Sequence, residues 1–192
     1  MKLRSAYYYA RIVIGLYILE ANMQSNWDEI IKLIIKEEGG FVDDKNDPGG
    51  MTNWGVTKKT LEDWCGHEVN EQAMRNLIPA DVYPLYQQRF WDVIGGDICP
   101  RGLDYALMDF AVNSGPARAL RYVQTILDVE VTGKLDDATK AALADCDGAE
   151  TASKLCDNRL EYLQKLPTFA RYGKGWSARV GRVKSEAAKM AG

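Results

Sequence analysis

Apolar side chains recur with helical spacing along most of the chain from residue 25 onward. The first such face consists of Trp27, Ile30, Ile31, Ile34 and Ile35. Asn26 is the predicted N-cap of this helix, because Glu29 follows three residues later and completes a capping pattern. Gly39 and Gly40 are predicted to end the helix, since glycine readily adopts the left-handed backbone of a C-terminal cap.

The same spacing predicts helices along most of the remaining chain. Their predicted ranges are 57–64, 70–77, 79–91, 103–114, a helix opening at Pro116, and the stretches DDATKAALADC and ETASKLCDNRLEYLQKL. RYGKGWSAR is interpreted as a loop whose Trp176 anchors the last helix. Strands are expected only between Phe41 and Val56, where DPGG and TNWG supply turn signals. The pattern predicts an all-α, mainly helical fold with a small β-hairpin or loop.

The first 24 residues form a separate apolar segment with a basic start. Residues 6–19 are apolar apart from one arginine, which makes them a poor permanent membrane span. One interpretation is a weak, uncleaved membrane-targeting segment, or signal-anchor. In the other, the segment docks on the folded body as a helix with Tyr8, Ile12 and Leu16 on one stripe. The sequence leaves both open.

Composition fits a folded protein and argues against a general nucleic-acid binder. The 192 residues are 46% apolar and 27% charged, enough for one domain or two small lobes. The formal net charge is -3, whereas nucleic-acid binders carry a basic excess. Residues 171–192 nevertheless contain six Lys or Arg and one Glu. This basic stretch is either a solvated helix face or a surface that attracts an anionic polymer.

The cysteines and the histidine do not predict a metal site. Cys65, Cys99, Cys146 and Cys156 lack the paired spacing of a zinc ribbon, and His67 is the only histidine. We therefore expect no metal and no other cofactor. Cys65 and His67 are only two residues apart, which is unlike the long-range pairing of a cysteine protease. Two disulfides or four buried thiols both fit the sequence.

The stretch EEGGFVDDKNDPGGMTNWGVT combines acids, glycines and a threonine directly after the first predicted helix. Glu38 falls at the carbonyl end of that helix, where the dipole disfavours a negative charge and favours a protonated acid. Asp47 lies in a polar turn that keeps it ionised, and Thr52 can hold a water. One protonated and one charged carboxyl group are what glycoside hydrolysis requires. The alternative is a simple turn beside an exposed helix end.

Two further side chains are candidates for substrate binding. Trp54 lies in the same loop, where its flat ring can stack on a sugar face. Tyr86, Trp91 and Trp176 are instead predicted to be core residues, because their neighbours are helical. Asn113, in DFAVNSG, stands at a helix end and either caps the backbone or reaches a substrate amide.

The stretch around Glu38 resembles the signature of glycoside hydrolase family 108, the lysozyme-like N-acetylmuramidases of phages and bacteria. In that family the catalytic glutamate directly precedes Gly-Gly and an aromatic residue, as Glu38 does here. GLDYALMDFAVNSGPARALRYVQ resembles the end of that module. VEVTGKLDDATKAAL and NRLEYLQKLPTFARYGKGWSARV resemble the predicted peptidoglycan-binding region that follows it. The resemblance covers about residues 25–190.

This resemblance implies a lysozyme-like fold that cleaves the β-1,4 bond between N-acetylmuramic acid and N-acetylglucosamine in peptidoglycan. Glu38 is the implied general acid, Asp47 stabilises the positive charge on the sugar or orients a water, and Thr52 helps to place that water. Residues 25–115 would form the catalytic lobe and residues 116–192 a helical peptidoglycan-binding lobe. We expect the two lobes to pack as one compact unit.

The implied biological role is that of an endolysin that lyses the bacterial cell wall. We expect a monomer that reaches the periplasm or cell wall of a bacterial host, with transient inner-membrane association through residues 6–19. Two alternatives remain. A lytic transglycosylase would cleave the same bond with Glu38 but without Asp47, and a non-enzymatic wall-binding or secretion-associated protein would release no product.

Overall fold

A computed structural model of the chain describes residues 26–43 and 50–192. The N-terminal segment 1–24 and the candidate Asp47 therefore lie outside the described residues, and the predictions made for them stay predictions. The described residues are mainly helical with one small antiparallel sheet, which confirms the predicted all-α class and its hairpin.

The helices and strands follow one another in a simple order. Helix α1 covers residues 26–38. The strands are β1 (Val42–Asp43), β2 (Met51–Asn53) and β3 (Val56–Thr57). The helices that follow are α2 (Lys58–Cys65), α3 (Glu71–Asn76), α4 (Pro79–Tyr86), α5 (Asp92–Ile94), α6 (Leu103–Ser114), α7 (Pro116–Ile126), α8 (Asp137–Asp145), α9 (Gly148–Gln164) and α10 (Phe169–Ala191). A π-helical turn, Gln87–Trp91, joins α4 to α5, and a 3-10 turn, Gly96–Ile98, follows α5.

Local capping explains several helix boundaries that the sequence predicts correctly. The Thr57 side chain accepts a hydrogen bond from the Thr60 N–H at the start of α2, and Asn70 does the same for α3. Gly39 has a φ of 76°, the left-handed conformation that ends α1. Asn26 is already helical, and its side chain donates to Asp104 Oδ2 at 3.2 Å. It therefore ties α1 to α6.

The prediction of a loop at RYGKGWSAR is wrong. These residues lie inside α10, which continues unbroken from Phe169 to Ala191. Trp176 is partly buried and packs against the core, with its ring centroid 6.2 Å from that of Phe169. The apolar face formed by Val180, Val183 and Ala187 is buried, and its burial outweighs the low helix propensity of the glycines.

The strands form a small antiparallel sheet in the order β1-β2-β3. Val42 pairs with Thr52, and Asn53 pairs with Val56 across the tight turn at Trp54 and Gly55. The Asn53 amide donates to the Met74 carbonyl at 2.8 Å, which attaches the sheet to α3. Gly55, in the turn between β2 and β3, lies against Glu38 at the end of α1.

A single hydrophobic core extends from α1 to α10. Helix α6 lies at its centre, with every residue from Leu103 to Ala111 buried, and it contacts α7, α9 and α10. Tyr86 and Trp91 are buried, as the sequence predicts. The core therefore includes elements from both predicted lobes, while the division at residue 115 stays a prediction.

The cysteines are free thiols. Cys99 and Cys156 are buried, Cys146 is partly buried and Cys65 is exposed. Burial raises the pKa of the Cys156 thiol to about 11, which keeps it protonated. Over residues 26–43 and 50–192, none of the helices has the length and apolar character that crossing a membrane requires.

Three of the six basic residues of α10 pair with acids of other helices. Arg182 donates to both oxygens of Glu37, and Lys184 bonds to Asp157 on α9. Arg179 contacts Glu38 at 2.8 Å. Much of the positive charge that the sequence left open between a solvated face and an anionic-polymer surface is therefore used to attach α10 to α1 and α9.

We expect the stability of the protein to fall as the pH rises from about 4 to 6. Burial raises the pKa of the Asp104 carboxyl to about 6, although hydrogen bonds from the N–H groups of Tyr105 and Gly102 oppose this effect. The native state therefore holds a proton that the unfolded chain has released in this range, and the loss approaches about 3 kcal/mol. Urea unfolding at pH 4, 5, 6 and 7 measures it. In Asp104→Asn the fall across this range should be smaller, and an unchanged dependence would contradict the assignment.

Candidate active site

Glu38 is the last residue of α1 and is positioned by the helix end rather than by the loop that follows. Its side chain is 19% exposed, so solvent and a bound ligand can reach it. Arg179 Nη2 donates to Glu38 Oε1 at 2.8 Å. This contact places a permanent positive charge beside a carboxyl group at the carbonyl end of α1. The helix dipole, on which the sequence-based expectation rests, does not include this charge.

Arg179 is held by a buried carboxylate on α6. Its Nε and Nη2 donate to Asp109 Oδ1 at 3.0 and 2.8 Å. Arg159 Nη1 donates to the other oxygen, Asp109 Oδ2, at 2.5 Å. Burial lowers the pKa of the Arg179 guanidinium, but the charges and hydrogen bonds of Asp109 and Glu38 outweigh burial and raise it above its usual value. Arg179 is therefore a fixed positive charge beside Glu38.

The turn between β2 and β3 packs against the side chain of Glu38. Tyr86 Oη donates to the Trp54 carbonyl at 3.1 Å. Burial, and after it the charge of Glu38, raise the pKa of the Tyr86 phenol well above its ordinary value, so it stays a hydrogen-bond donor. Gly55 has a φ of 73°, and a Cβ there would stand 2.3 Å from Tyr86 Oη and 3.1 Å from Glu38 Cβ. Only glycine allows this close approach.

We expect Gly55→Ala to destabilise the protein more than Gly50→Ala. Both positions have left-handed backbone, which costs alanine about 1–2 kcal/mol. The new methyl group at Gly55 also collides with Tyr86, which adds roughly 1–3 kcal/mol. At Gly50 no described atom lies within 4 Å of the added Cβ. Urea unfolding of the two variants measures the difference, and equal losses would rule out the close packing of this turn.

The structure brings some of the sequence-predicted site residues together. Trp54 directly precedes Gly55 in the turn that packs against Glu38, and its indole N–H donates to the Leu77 carbonyl at 2.8 Å. Thr52 is half-buried in β2, two residues before this turn. Asn113 is exposed on α6, one helical turn beyond Asp109, so it lies on the same side of that helix.

Sequence interpretation missed the charged residues behind Glu38. Arg179, Asp109 and Arg159 come from three different helices and share no local motif. One signal pointed towards Asp109, because the stretch LDYALMDFAV places two carboxylates, Asp104 and Asp109, on a mainly apolar helix, and a buried carboxylate needs a cation or hydrogen-bond donors as partners. A second lay in the basic C-terminal stretch, where Arg179 and Arg182 have the spacing of one helix face.

The chain is similar to known proteins in sequence and in fold. The sequence model described as Glycosyl hydrolase 108 matches residues 31–115, which include Glu38 and the β2–β3 turn. A solved structure titled "Structure of Brucella abortus SagA" is similar to this chain, with 36% sequence identity and a TM-score of 0.77. The similarity covers 88% of this chain and 97% of that chain. No curated protein matches this chain.

A mainly helical, lysozyme-like fold with an acid at the end of its first described helix is typical of a glycoside hydrolase. The chain belongs to the Glycosyl hydrolase 108 family. Membership implies a glycosidase with a polysaccharide substrate and a role in peptidoglycan hydrolysis.

Proposed function

We propose that this protein is an N-acetylmuramidase that cleaves the β-1,4 bond between N-acetylmuramic acid and N-acetylglucosamine in peptidoglycan. The observation that carries the proposal is the position of Glu38, a partly exposed acid within the family-matched region and between the β2–β3 turn and Arg179. The resemblance of its surrounding sequence to the muramidase signature supports the choice of bond.

Glu38 acts as the general acid in the proposed reaction. It donates its proton to the glycosidic oxygen as the bond between that oxygen and the anomeric carbon breaks. Asp47 stabilises the positive charge on the sugar or orients the attacking water, and Thr52 helps to hold that water. The water adds its hydroxyl group to the anomeric carbon, and the proton that it releases restores the acid form of Glu38 by way of solvent. Trp54 and Asn113 contact the sugar and its amide group.

The products released from purified sacculi test this function. A muramidase leaves a reducing end on N-acetylmuramic acid, whereas a lytic transglycosylase leaves an anhydro end that is lighter by one water. Mass spectrometry of the soluble muropeptides distinguishes these two products. Anhydro ends would show that the protein is a lytic transglycosylase and not a hydrolase. Binding to sacculi without release of a product would indicate a non-enzymatic wall-binding protein.

The role of Asp47 needs a separate comparison. A hydrolase of this kind loses activity in Asp47→Asn as well as in Glu38→Gln, because the water or the sugar cation is no longer supported. An Asp47→Asn variant with full wall-clearing activity would contradict the proposed mechanism.

We propose that the biological role is that of an endolysin that lyses the host wall from the periplasm. In this proposal residues 116–192 bind peptidoglycan, residues 6–19 associate transiently with the inner membrane, and the protein acts as a monomer. A reporter fused to residues 1–24 should move to the membrane. A fully soluble reporter would contradict the proposed membrane association of the N-terminal segment, but it would not affect the proposed enzymatic activity.

A further inference from the structure

A largely buried ionic cluster joins four helices that are distant along the chain. Glu38 lies on α1, Asp109 on α6, Arg159 on α9 and Arg179 on α10. The family match ends at residue 115, so both arginines come from the chain beyond it. The C-terminal helices therefore place charged groups directly behind the proposed acid.

The geometry of this cluster fixes the direction of one guanidinium. Asp109 Oδ1 accepts from both Nε and Nη2 of Arg179, which holds the planar group along one edge. Nη2 also donates to Glu38 Oε1 at 2.8 Å. Arg159 holds the remaining Asp109 oxygen, so the carboxylate cannot turn without breaking that bond. The contact between Arg179 and Glu38 is thus supported from two helices behind it.

Stability alone is a poor explanation for this arrangement. The side chains of Asp109 and Arg159 are 0% and 2% exposed. The free energy lost when such charges leave water is about as large as the free energy gained from their attraction. The neighbouring pair of Arg182 and Glu37 already attaches α10 to α1 at the surface. The buried cluster adds something that the surface pair lacks, namely a charged donor aimed at Glu38.

We propose that Arg179, anchored by Asp109, is a positioning residue for Glu38, and that α10 is therefore part of the catalytic centre. This inference rests on the proposed function. Arg179 fixes Oε1, so the transferable proton is placed on Oε2 and directed at the glycosidic oxygen. When the proton has moved and the bond has broken, Glu38 is a carboxylate whose new charge faces Arg179.

The charged and titratable groups around Glu38 give the proposal a pH signature. Arg179 faces it from α10, Tyr86 from α4, and Glu37 precedes it on α1, while Asp109 on α6 lies behind Arg179. Arg179 is the cation in contact with it among the described residues. Because an adjacent cation stabilises the ionised form of an acid, its removal should move the alkaline limb of the pH–rate profile to higher pH.

The test compares Arg179→Met with Arg182→Met on solubilised glycan strands of peptidoglycan. Arg179→Met leaves Asp109 paired with Arg159, so a neutral pair remains in the interior. We expect its kcat to fall by about 10²-fold, as for a misplaced catalytic group, with KM changed by less than about threefold. Its alkaline limb should move to higher pH. Arg182→Met removes an exposed ion pair on the same helix and should keep the wild-type kcat and limb.

A second variant, Arg179→Lys, tests the inference if Arg179→Met does not fold. Arg179→Lys keeps the charge but cannot hold Asp109 and Glu38 through one planar fork. We expect Arg179→Lys to lower kcat by at least about fivefold, while the alkaline limb of its pH–rate profile stays at the wild-type pH because the charge is kept. A wild-type kcat would overturn the inference. A folded Arg179→Met with wild-type kcat and an unmoved limb would also overturn it. If the wild-type protein itself releases no product, the proposed function fails and this inference fails with it.

Discussion

Replacing Glu38 with Gln should reduce the release of soluble muropeptides by about 10²- to 10⁴-fold, the range in which general acid catalysis contributes. The amide has nearly the same shape, and its oxygen can still accept the hydrogen bond from Arg179 Nη2. It has no carboxylic proton to give to the glycosidic oxygen. The measurement is the initial rate of muropeptide release from sacculi, with near-ultraviolet circular dichroism to verify the fold.

Glu37→Gln is the matched control for this experiment. Glu37 precedes Glu38 on α1, and its carboxylate pairs with Arg182 at the surface. We expect this variant to lose little stability and no activity, since exposed pairs contribute about 0–1 kcal/mol. If Glu38→Gln folded normally and digested sacculi at the wild-type rate, Glu38 could not be the acid, and the proposed mechanism would be wrong.

Replacing Asp109 with Ala should cost about 3–5 kcal/mol of unfolding free energy, because it leaves buried cations without their counter-charge. Arg159 is 1% exposed and loses its bond to Asp109 Oδ2. Arg179 loses its three hydrogen bonds to Asp109 and keeps the contact with Glu38. Urea unfolding at constant pH measures the loss.

Asp157→Ala provides the comparison for Asp109→Ala. Asp157 pairs with Lys184 between α9 and α10, but both side chains are exposed by more than a third. Its removal should cost at most about 1 kcal/mol. A similar small loss in Asp109→Ala would contradict a buried and tightly paired cluster. The double variant Asp109→Ala/Arg159→Met should recover part of the loss, since it removes one of the stranded charges.

The sequence predicted helices well wherever the controlling interactions are local. Thr57 and Asn70 cap the helices that follow them through bonds to residues three positions away. Pro116 opens α7 directly after Gly115 ends α6, as the order of these two residues indicates. Such signals can be read within one or two helical turns, so no knowledge of the tertiary fold is needed.

The prediction failed at RYGKGWSAR because tertiary packing reverses the local preference. Glycine is unfavourable in a helix by about 1 kcal/mol, and this stretch contains two. Gly173 is buried against Phe169, where an added Cβ would stand 2.7 Å from the ring. A residue that appears to break the helix is therefore required for its packing, and this requirement is visible only when both side chains are placed.

Local sequence patterns suffice to predict the mainly helical class, the end of α1 and the place of Glu38 at that end, because each depends on neighbouring residues. The surroundings of Glu38 depend on how distant helices pack. Arg179 is 141 positions away from it in the chain, and 70 positions away from Asp109. Neither interval has a period or a motif that could indicate contact. These charges meet because the packing of apolar helix faces brings α1, α6, α9 and α10 together, and a buried carboxylate must then be paired.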